Sequence, residues 1–246
     1  MSTLRLLTLY PDQMNIYADR GNITFWQRRC EWRGIRFEHA SAGPGEHVDP
    51  AAHDLIYIGG GQDRDQQLVA ADLVKTKREG LASAVGDGAV LLAVCGGYQL
   101  LGHSYQLGSE KIQGLGLADL ETVREDGPRL IGNVAIEVDL GTGPKVVAGF
   151  ENHGGRTYLG ANATALGRVL KGHGNDGKSG FEGVRFNNVF GTYLHGPLLP
   201  KNAWLADRLI QLAIARSEGS EPDLEPLDDE FEAAGHESAR AAAMRG

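Results

Sequence analysis

The stretch AVLLAVCGGYQLLG, residues 89–102, constrains the fold more than any other part of the chain. Its apolar run follows the turn signal GDG and has the length of a strand that is buried on both faces of a parallel sheet. After Cys95 the apolar residues recur at helical spacing, and Gly108 is placed to end that helix. The pattern therefore predicts that Cys95 lies at a strand-to-helix corner.

A cysteine at such a corner has the setting of a nucleophile elbow, in which a tight turn presents a reactive side chain above the sheet. Gly96 and Gly97 leave space beside it, and Ala93 stands where such turns usually have glycine. The first turn of a helix favours the thiolate, so we expect a lowered pKa for Cys95. A core cysteine below a glycine-rich helix start is the alternative interpretation. Cys30, within TFWQRRCEW, is predicted to belong to the core.

The first half of the chain alternates between predicted strands and helices, which indicates an α/β fold with a doubly wound, mostly parallel sheet. We predict strands at LRLLTLY, IRFEH, DLIYI and VLLAV, and helices at GNITFWQRRCEW and DQQLVAADLVKTKREGLASAV. The second half contains short β-rich segments separated by glycines, which we interpret as added antiparallel strands. The segment NAWLADRLIQLAIAR is predicted to form the last helix of this domain.

Charge is spread unevenly along the chain. The net charge is −8, and residues 218–246 hold nine acidic and two basic residues. We therefore predict one domain over residues 1–217 and an acidic tail over 218–246 that is disordered or orders only by docking on something else. The body has no basic face, so nucleic acid is not an expected partner.

Cellular location is predicted from absent signals. No stretch approaches the roughly 18 apolar residues of a membrane helix, and MSTLRLLTLYPDQ turns polar too early for a secretory signal. Two cysteines without metal-ligand spacing favour neither a disulfide framework nor a zinc site. We expect a cytoplasmic protein without a bound metal.

Three unusual segments fall at the carboxyl ends of predicted strands, where α/β sheets place their functional sites. They are YPDQMNIYADRGN at 10–22, GGGQDRD at 59–65, and Cys95 itself. His195 follows the strand VFGTYL and is the candidate general base, although a surface histidine would show the same pattern. The backbone N–H groups of 59–61 and Gly96 could stabilise an oxyanion. A plain turn or a phosphate loop is the alternative, but no Lys-Ser/Thr pair follows as in a Walker motif.

These motifs carry a resemblance to a known family. CGGYQ at 95–99 resembles the C-x-G-x-Q signature of class I glutamine amidotransferases, whose flavodoxin-like domain hydrolyses glutamine through a cysteine thioester. The segments LYPDQMNIYADRGN, FENHGGRT and TYLHGPLLPKN are similar to the cobyric-acid-synthase-like (CobB/CobQ) branch. Within that branch they most resemble the glutaminase subunits of lipid II isoglutaminyl synthases. The resemblance covers about residues 4 to 215.

The resemblance implies a role for each matching residue. Cys95 would be the nucleophile and His195 the general base and acid, with Gly60 and Gly96 as oxyanion donors. The amino-acid end of L-glutamine would be held by Gln99, Arg129, Asn152, His153 and Gly154.

Two positions qualify this assignment. Arg129 could pair bidentately with the substrate carboxylate, or it could cap a loop against Asp126. Pro197 stands where many class I amidotransferases have the acidic residue that completes a triad with the histidine. Either another residue of this chain or a partner subunit would then supply the acid.

The resemblance also implies a partner. This chain has no nucleotide-binding motif, so a separate MurT-like synthetase of the Mur-ligase family, with ATP and Mg²⁺, would complete a heterodimer, and this chain would hold no cofactor. The synthetase would activate the α-carboxylate of D-glutamate in lipid II, and ammonia would convert it to D-isoglutamine for peptidoglycan synthesis. The alternatives are another acceptor, such as a cobyric-acid-like one, a stand-alone DJ-1/PfpI-like cysteine hydrolase, or an inactive module that only binds a partner.

Overall fold

A computed structural model describes residues 2–16 and 19–245 of the chain. In chain order, its strands are β1 (Thr3–Leu9), β2 (Arg36–Ala42), β3 (Leu55–Ile58), β4 (Val90–Val94), β5 (Ser104–Leu107), β6 (Glu110–Gln113), β7 (Leu120–Arg124), β8 (Leu130–Asp139), β9 (Pro144–His153), β10 (Gly155–Leu159), β11 (Gly167–Lys171), β12 (Phe181–Glu182), β13 (Val184–Phe186) and β14 (Val189–Thr192). The α-helices are α1 (Arg20–Trp32), α2 (Asp63–Asp72), α3 (Arg78–Gly86), α4 (Gly96–Leu101), α5 (Ala203–Glu218) and α6 (Glu230–Arg245).

The central sheet has six strands in the order β13-β14-β4-β3-β1-β2, and all neighbours are parallel except the β13–β14 pair. Apart from β13, this is the flavodoxin-like order. Every residue of β3 and β4 is buried, because the sequences LIYI and VLLAV are apolar on both faces. Helices α1 and α5 pack on each other, and α5 lies along β1, β3 and β4. The predicted doubly wound, mostly parallel sheet is confirmed.

Two smaller sheets extend the second half of the chain. One has the order β10-β7-β5-β6, and the other is antiparallel with the order β12-β11-β8-β9. The long β8–β9 hairpin runs back to His153, and it brings the end of β9 to the carboxyl edge of the central sheet, where Phe150 pairs with His195. Strand β14, expected among the added antiparallel strands, instead joins the central sheet in parallel with β4.

The helix predicted after Cys95 is shorter than expected. It ends at Leu101, and Ser104–Leu107 form β5 rather than two further turns of helix. A Cβ at Gly102 would lie 2.2 Å from the Leu120 side chain, so the chain turns there against β7. The helix predicted over residues 65–85 is interrupted by a π-helical turn at Leu73–Lys77. At the end of this turn the buried Lys77 ammonium pairs with Asp72 at 2.5 Å.

The acidic tail is ordered on the body of its own chain. Residues 219–229 have no helix or strand, and α6 then packs on β8 and β9. The fully buried guanidinium of Arg29 donates to Asp229 at 2.6 Å and to Asp207 at 2.6 Å. His236 on α6 contacts the carbonyl of Lys201 at 2.9 Å. The acid-rich composition predicted a tail that is disordered or orders only by docking, but Arg29 on α1 and Arg208 on α5 each pair with a carboxylate of this tail.

Across residues 2–16 and 19–245, no helix is long and apolar enough to cross a membrane. Of the segment 10–22, Tyr17 and Ala18 lie outside the described residues.

Candidate active site

Cys95 occupies a strained corner between β4 and α4. Its φ of 49° and ψ of −105° are unusual for a residue with a side chain. Its N–H donates to the carbonyl of Thr192 on β14 at 2.8 Å. A Cβ at Gly96 or Gly97 would lie within 3 Å of the backbone at 58–61, so only glycine fits this close approach. The local sequence therefore fixes the elbow that it predicted.

The thiol of Cys95 is not activated in the chain alone. Burial raises its pKa to about 12, the charge of Asp19 acts in the same direction, and a hydrogen bond from the Gly96 N–H acts against them. The expected lowering of this pKa is wrong for the isolated chain, because α4 has only six residues and desolvation outweighs its N-terminal turn. Cys30 is fully buried and its pKa is also raised to about 12 by burial, as suits a core cysteine.

His195 follows β14, the parallel neighbour of β4, at the same edge of the sheet as Cys95. Its backbone exchanges hydrogen bonds with Phe150 at 3.0 and 3.1 Å, which joins it to β9. The side chain is fully buried. Burial lowers the pKa of His195 to about 4, and neighbouring basic groups act in the same direction, namely His153, Lys201 and Arg129. The imidazole is therefore neutral at pH 7 and able to accept a proton.

A cleft of about 630 Å³ opens in front of Cys95. That volume lies in the range of small-molecule sites. Its walls combine the loop after β1, the glycine loop after β3, the first turns of α2 and the end of β9. The lining residues are Ile16, Gly61, Gln62, Asp63, Arg64, Gln66, Cys95, Gln99, Arg129, Asn152, His153 and Gly154. The structure thus brings Gln99, Arg129 and the 152–154 segment to one cleft with the cysteine.

Arg129 stands on the rim of this cleft, exposed and just before β8. Its Nε donates to Oδ1 of Asn152 at 2.7 Å, and its Nη2 donates to the Asn152 carbonyl at 2.8 Å. The guanidinium is held by Asn152, and no hydrogen bond to Asp126 occurs among the described contacts. These two hydrogen bonds use two of the five guanidinium N–H groups, so both N–H groups of Nη1 and one of Nη2 are left for a substrate carboxylate.

His153 forms part of the buried floor. Its Nδ1 lies 2.8 Å from the Gly155 carbonyl, and its Nε2 lies 3.7 Å from the buried carboxylate of Glu151. The ring stacks on Tyr193 with centroids 3.5 Å apart and planes 6° apart. Glu151 in turn accepts the N–H groups of His173 and Gly174 at 2.6 and 3.0 Å. These contacts fix the ring orientation of His153 at the cleft.

The side chain of Gln99 is buried and its amide is already satisfied. Its Oε1 accepts from Gln66 at 2.9 Å, and its Nε2 donates to the Tyr193 hydroxyl at 3.1 Å. The Tyr193 hydroxyl lies 2.6 Å from Oγ1 of Thr157. This network fixes the Gln99 side chain in the wall of the cleft, and its role in holding glutamine stays a prediction.

A buried carboxylate that the sequence did not indicate contacts the glycine loop at residues 59–61. The N–H of Gly60, the predicted oxyanion donor, donates to Oδ2 of Asp19 at 2.7 Å. Asp19 lies within the segment 10–22, which its strand-end position had marked, but nothing in the sequence indicated which side chain turns inward. Gln66, Tyr193 and Glu151 were missed as well. The sequence did offer a signal for each of them. Gln66 directly follows GGGQDRD, Tyr193 lies two residues before His195, and Glu151 precedes Asn152.

Two solved structures share the fold of this chain. The chain superposes on a chain of PurLQS from Thermotoga maritima with a TM-score of 0.59, at 18% identity, over 89% of this chain and 100% of that one. It superposes on the glutaminase domain of Trypanosoma brucei CTPS with a TM-score of 0.55, at 10% identity, over 90% and 96%. At these identities the likeness shows the fold alone.

The sequence assigns the family. Residues 5–203 match the CobB/CobQ-like glutamine amidotransferase domain, and the chain belongs to this family. It is 40% identical over 232 residues to the lipid II isoglutaminyl synthase (glutamine-hydrolyzing) subunit GatD of Staphylococcus aureus, covering 92% of this chain and 91% of that protein. The protein of the same name from Streptococcus pneumoniae is 36% identical over 227 residues, covering 92% and 86%.

A probable cobyric acid synthase from Methanothermobacter thermautotrophicus is 31% identical over 214 residues, which cover 77% of this chain but only 41% of that protein. The resemblance read from the sequence is confirmed. Family membership decides against the DJ-1/PfpI-like alternative.

Proposed function

We propose that this chain is the glutaminase subunit of a lipid II isoglutaminyl synthase. It hydrolyses L-glutamine through a thioester on Cys95 and delivers ammonia to a MurT-like, ATP- and Mg²⁺-dependent ligase. That ligase amidates the α-carboxylate of D-glutamate in lipid II. The observation that carries the proposal is the strained Cys95 elbow at the mouth of a cleft, in a chain 40% identical to a subunit of that name.

The chemistry assigned to the site follows from its residues. Once deprotonated, the Cys95 sulfur attacks the side-chain amide carbon of glutamine, and the oxygen becomes an oxyanion that backbone N–H groups can stabilise. His195 takes the thiol proton and passes it to the leaving nitrogen, so ammonia departs and a γ-glutamyl thioester remains. Water then attacks the thioester carbon, His195 takes its proton, and glutamate and the free thiol are released.

Substrate recognition is assigned to the rim of the cleft. The α-carboxylate of glutamine would meet Arg129, whose position is set by Asn152. His153 lies beside them on the floor of the cleft. A guanidinium binds a carboxylate through charge-assisted hydrogen bonds, which are stronger than neutral ones.

The partner is part of the proposal. The two GatD relatives are named as subunits, so the synthetase would be a second polypeptide. The location proposed for the reaction is the cytoplasm. Because Pro197 replaces the acid that many triads have, a carboxylate of the synthetase would orient His195 after docking. Such a carboxylate would raise the pKa of His195 from about 4 towards neutrality.

The test is glutaminase activity with and without the synthetase. We expect a low rate for the chain alone, and a rise of about tenfold or more when a MurT-like ligase is added at saturation, since misorientation of the base costs up to about 10⁴ in kcat in a Ser-His-Asp enzyme. Changing interface Asp and Glu residues of the ligase one at a time should abolish the rise for one of them. A full rate in the lone chain would place the acid within this chain.

A second acceptor has some support. Cobyric acid synthases are among the relatives, so the ammonia could serve a cobyric-acid-like carboxylate. Supplying the purified pair with lipid II or with a cobyric acid precursor, and following amide formation by mass spectrometry, decides between the two acceptors.

A further inference from the structure

Asp19 is a buried carboxylate beside the nucleophile that the reaction scheme above does not use. Its side chain is fully buried just before α1, and its backbone N–H donates to the Ile16 carbonyl at 3.2 Å. Oδ2 accepts the N–H of Gly60 at 2.7 Å. Oδ1 has no hydrogen-bond partner among the residues that the structure describes.

Asp19, Gly60 and Cys95 are packed in one place. A Cβ built on Gly60 would lie 3.0 Å from Oδ2 of Asp19 and 3.4 Å from Cβ of Cys95. The carboxylate therefore stands at the strained elbow, on the same backbone group that an oxyanion hole in this cleft would use.

This contact has two consequences, and both oppose attack on glutamine. An N–H that donates to a carboxylate at 2.7 Å is not available to a developing oxyanion. The negative charge also makes removal of the thiol proton harder, since Asp19 is the second cause of the raised pKa of Cys95. Burial raises the pKa of Asp19 itself to about 7, although its hydrogen bond with Gly60 opposes this.

The segment that carries Asp19 rests directly on the glycine loop. The Ile16 N–H donates to the Gly60 carbonyl at 3.2 Å, and a Cβ at Gly59 would lie 2.3 Å from the Met14 carbonyl. The outer side of the same segment is reachable, because the Asp12 side chain is 80% exposed where it pairs with Arg20. A protein bound to the outside of this segment would thus act on the loop through backbone contacts.

We propose that Asp19 is a latch on the oxyanion loop: its carboxylate holds the Gly60 N–H away from the reacting carbonyl, and docking of the synthetase on residues 11–16 releases it. Asp19 is a positioning residue in this scheme, since it acts on the reaction through Gly60. The latch rests on the proposed function, because Gly60 stabilises an oxyanion only if Cys95 hydrolyses glutamine.

The test measures kcat and KM for ammonia release from L-glutamine by the full-length chain, first alone and then with saturating synthetase. Asp19→Ala frees the Gly60 N–H and removes the charge. Asp19→Asn keeps an oxygen that can accept from Gly60 but removes the charge. Asp87→Asn is the control, because it changes an exposed carboxylate just after α3 that lies outside both the cleft and the proposed docking segment.

We expect Asp19→Ala to raise kcat of the lone chain about tenfold or more with little change in KM, because one oxyanion donor is worth about 10²–10³ in kcat. Asp19→Asn should give a smaller increase in kcat, and Asp87→Asn should give none. The synthetase should stimulate Asp19→Ala less than the unchanged chain.

A fall in kcat for Asp19→Ala that Asp19→Asn restores would overturn the latch, since Asp19 would then support the loop in its active form. Equal kcat in all variants would overturn it too. Circular dichroism checks that each variant is folded. If Asp19→Ala does not fold, the kcat of Asp19→Asn tests the latch instead. No ammonia from the unchanged chain, even with synthetase, would instead refute the proposed function.

Discussion

At the scale of single residues, Cys95 is the group on which the function depends. Its thiol is buried with a pKa raised to about 12, and Cys30 is buried with a pKa raised to a similar value. Only Cys95 stands at the cleft. The substrate analogue 6-diazo-5-oxo-norleucine should therefore label Cys95 and leave Cys30 unmodified, as peptide mass spectrometry would detect.

Cys95→Ser and Cys95→Ala should both lose glutaminase activity and keep the fold. His195→Ala should be nearly as damaging, because residues that act as a unit are not additive. Ammonia release at the normal rate from either cysteine variant would end the thioester assignment.

Arg129 tests substrate recognition. Arg129→Ala should raise KM for glutamine about tenfold to a hundredfold with kcat nearly unchanged, because hydrogen bonds to charged groups contribute about 1.5–3 kcal/mol and this one is made equally in the ground and transition states. The KM of Arg129→Lys should lie between that of the unchanged chain and that of Arg129→Ala. The matched control is Arg168→Ala, which removes an exposed arginine that pairs with Glu137. A fall in kcat alone would place Arg129 in the chemistry instead.

At the scale of elements, a buried arginine links the acidic tail to the body of the chain. Arg29 on α1 is shared by Asp207 on α5 and Asp229 just before α6. Asp229→Ala should lower the free energy of unfolding by about 1–2 kcal/mol and expose α6 to limited proteolysis, because Arg29 would lose one of its two carboxylates. Asp223→Ala, which removes an exposed carboxylate of the same segment, is the control. Equal protease sensitivity of the two variants would show that α6 is held by its contacts with β8 and β9 alone.

At the scale of the whole molecule, Glu182 links stability to pH. It is fully buried, and burial raises its pKa from 4.5 to about 8, against the hydrogen bonds it accepts from Tyr193 and Thr192. Below pH 4.5 the carboxyl is neutral in both states. Between pH 4.5 and 8 the unfolded chain ionises first, so stability falls as pH rises, on the order of 1 kcal/mol per pH unit.

Glu182→Gln should therefore be close to the unchanged chain in stability near pH 5 and relatively more stable at pH 8. Urea unfolding at the two pH values measures the difference. A parallel decline in both proteins would assign the pH dependence to other groups, of which Asp19 is the first candidate because its pKa is raised to about 7.

The sequence by itself determined the elements that depend on neighbouring residues. The apolar runs fixed β3 and β4, and the glycines after Cys95 fixed the elbow, because a strand buried on both faces and a close backbone approach leave few residue types possible. The motif at 95–99, together with the segments LYPDQMNIYADRGN, FENHGGRT and TYLHGPLLPKN, was enough to identify the family.

Only the tertiary structure decided what depends on residues far apart in the chain. The contact between Asp19 and Gly60 joins residues 41 positions apart, and the Arg29–Asp229 pair joins residues 200 apart. The raised pKa of Cys95 reverses the local expectation, since desolvation is set by everything packed around the thiol. No local pattern records which distant side chain reaches a buried site, because sheet order and packing bring such groups together.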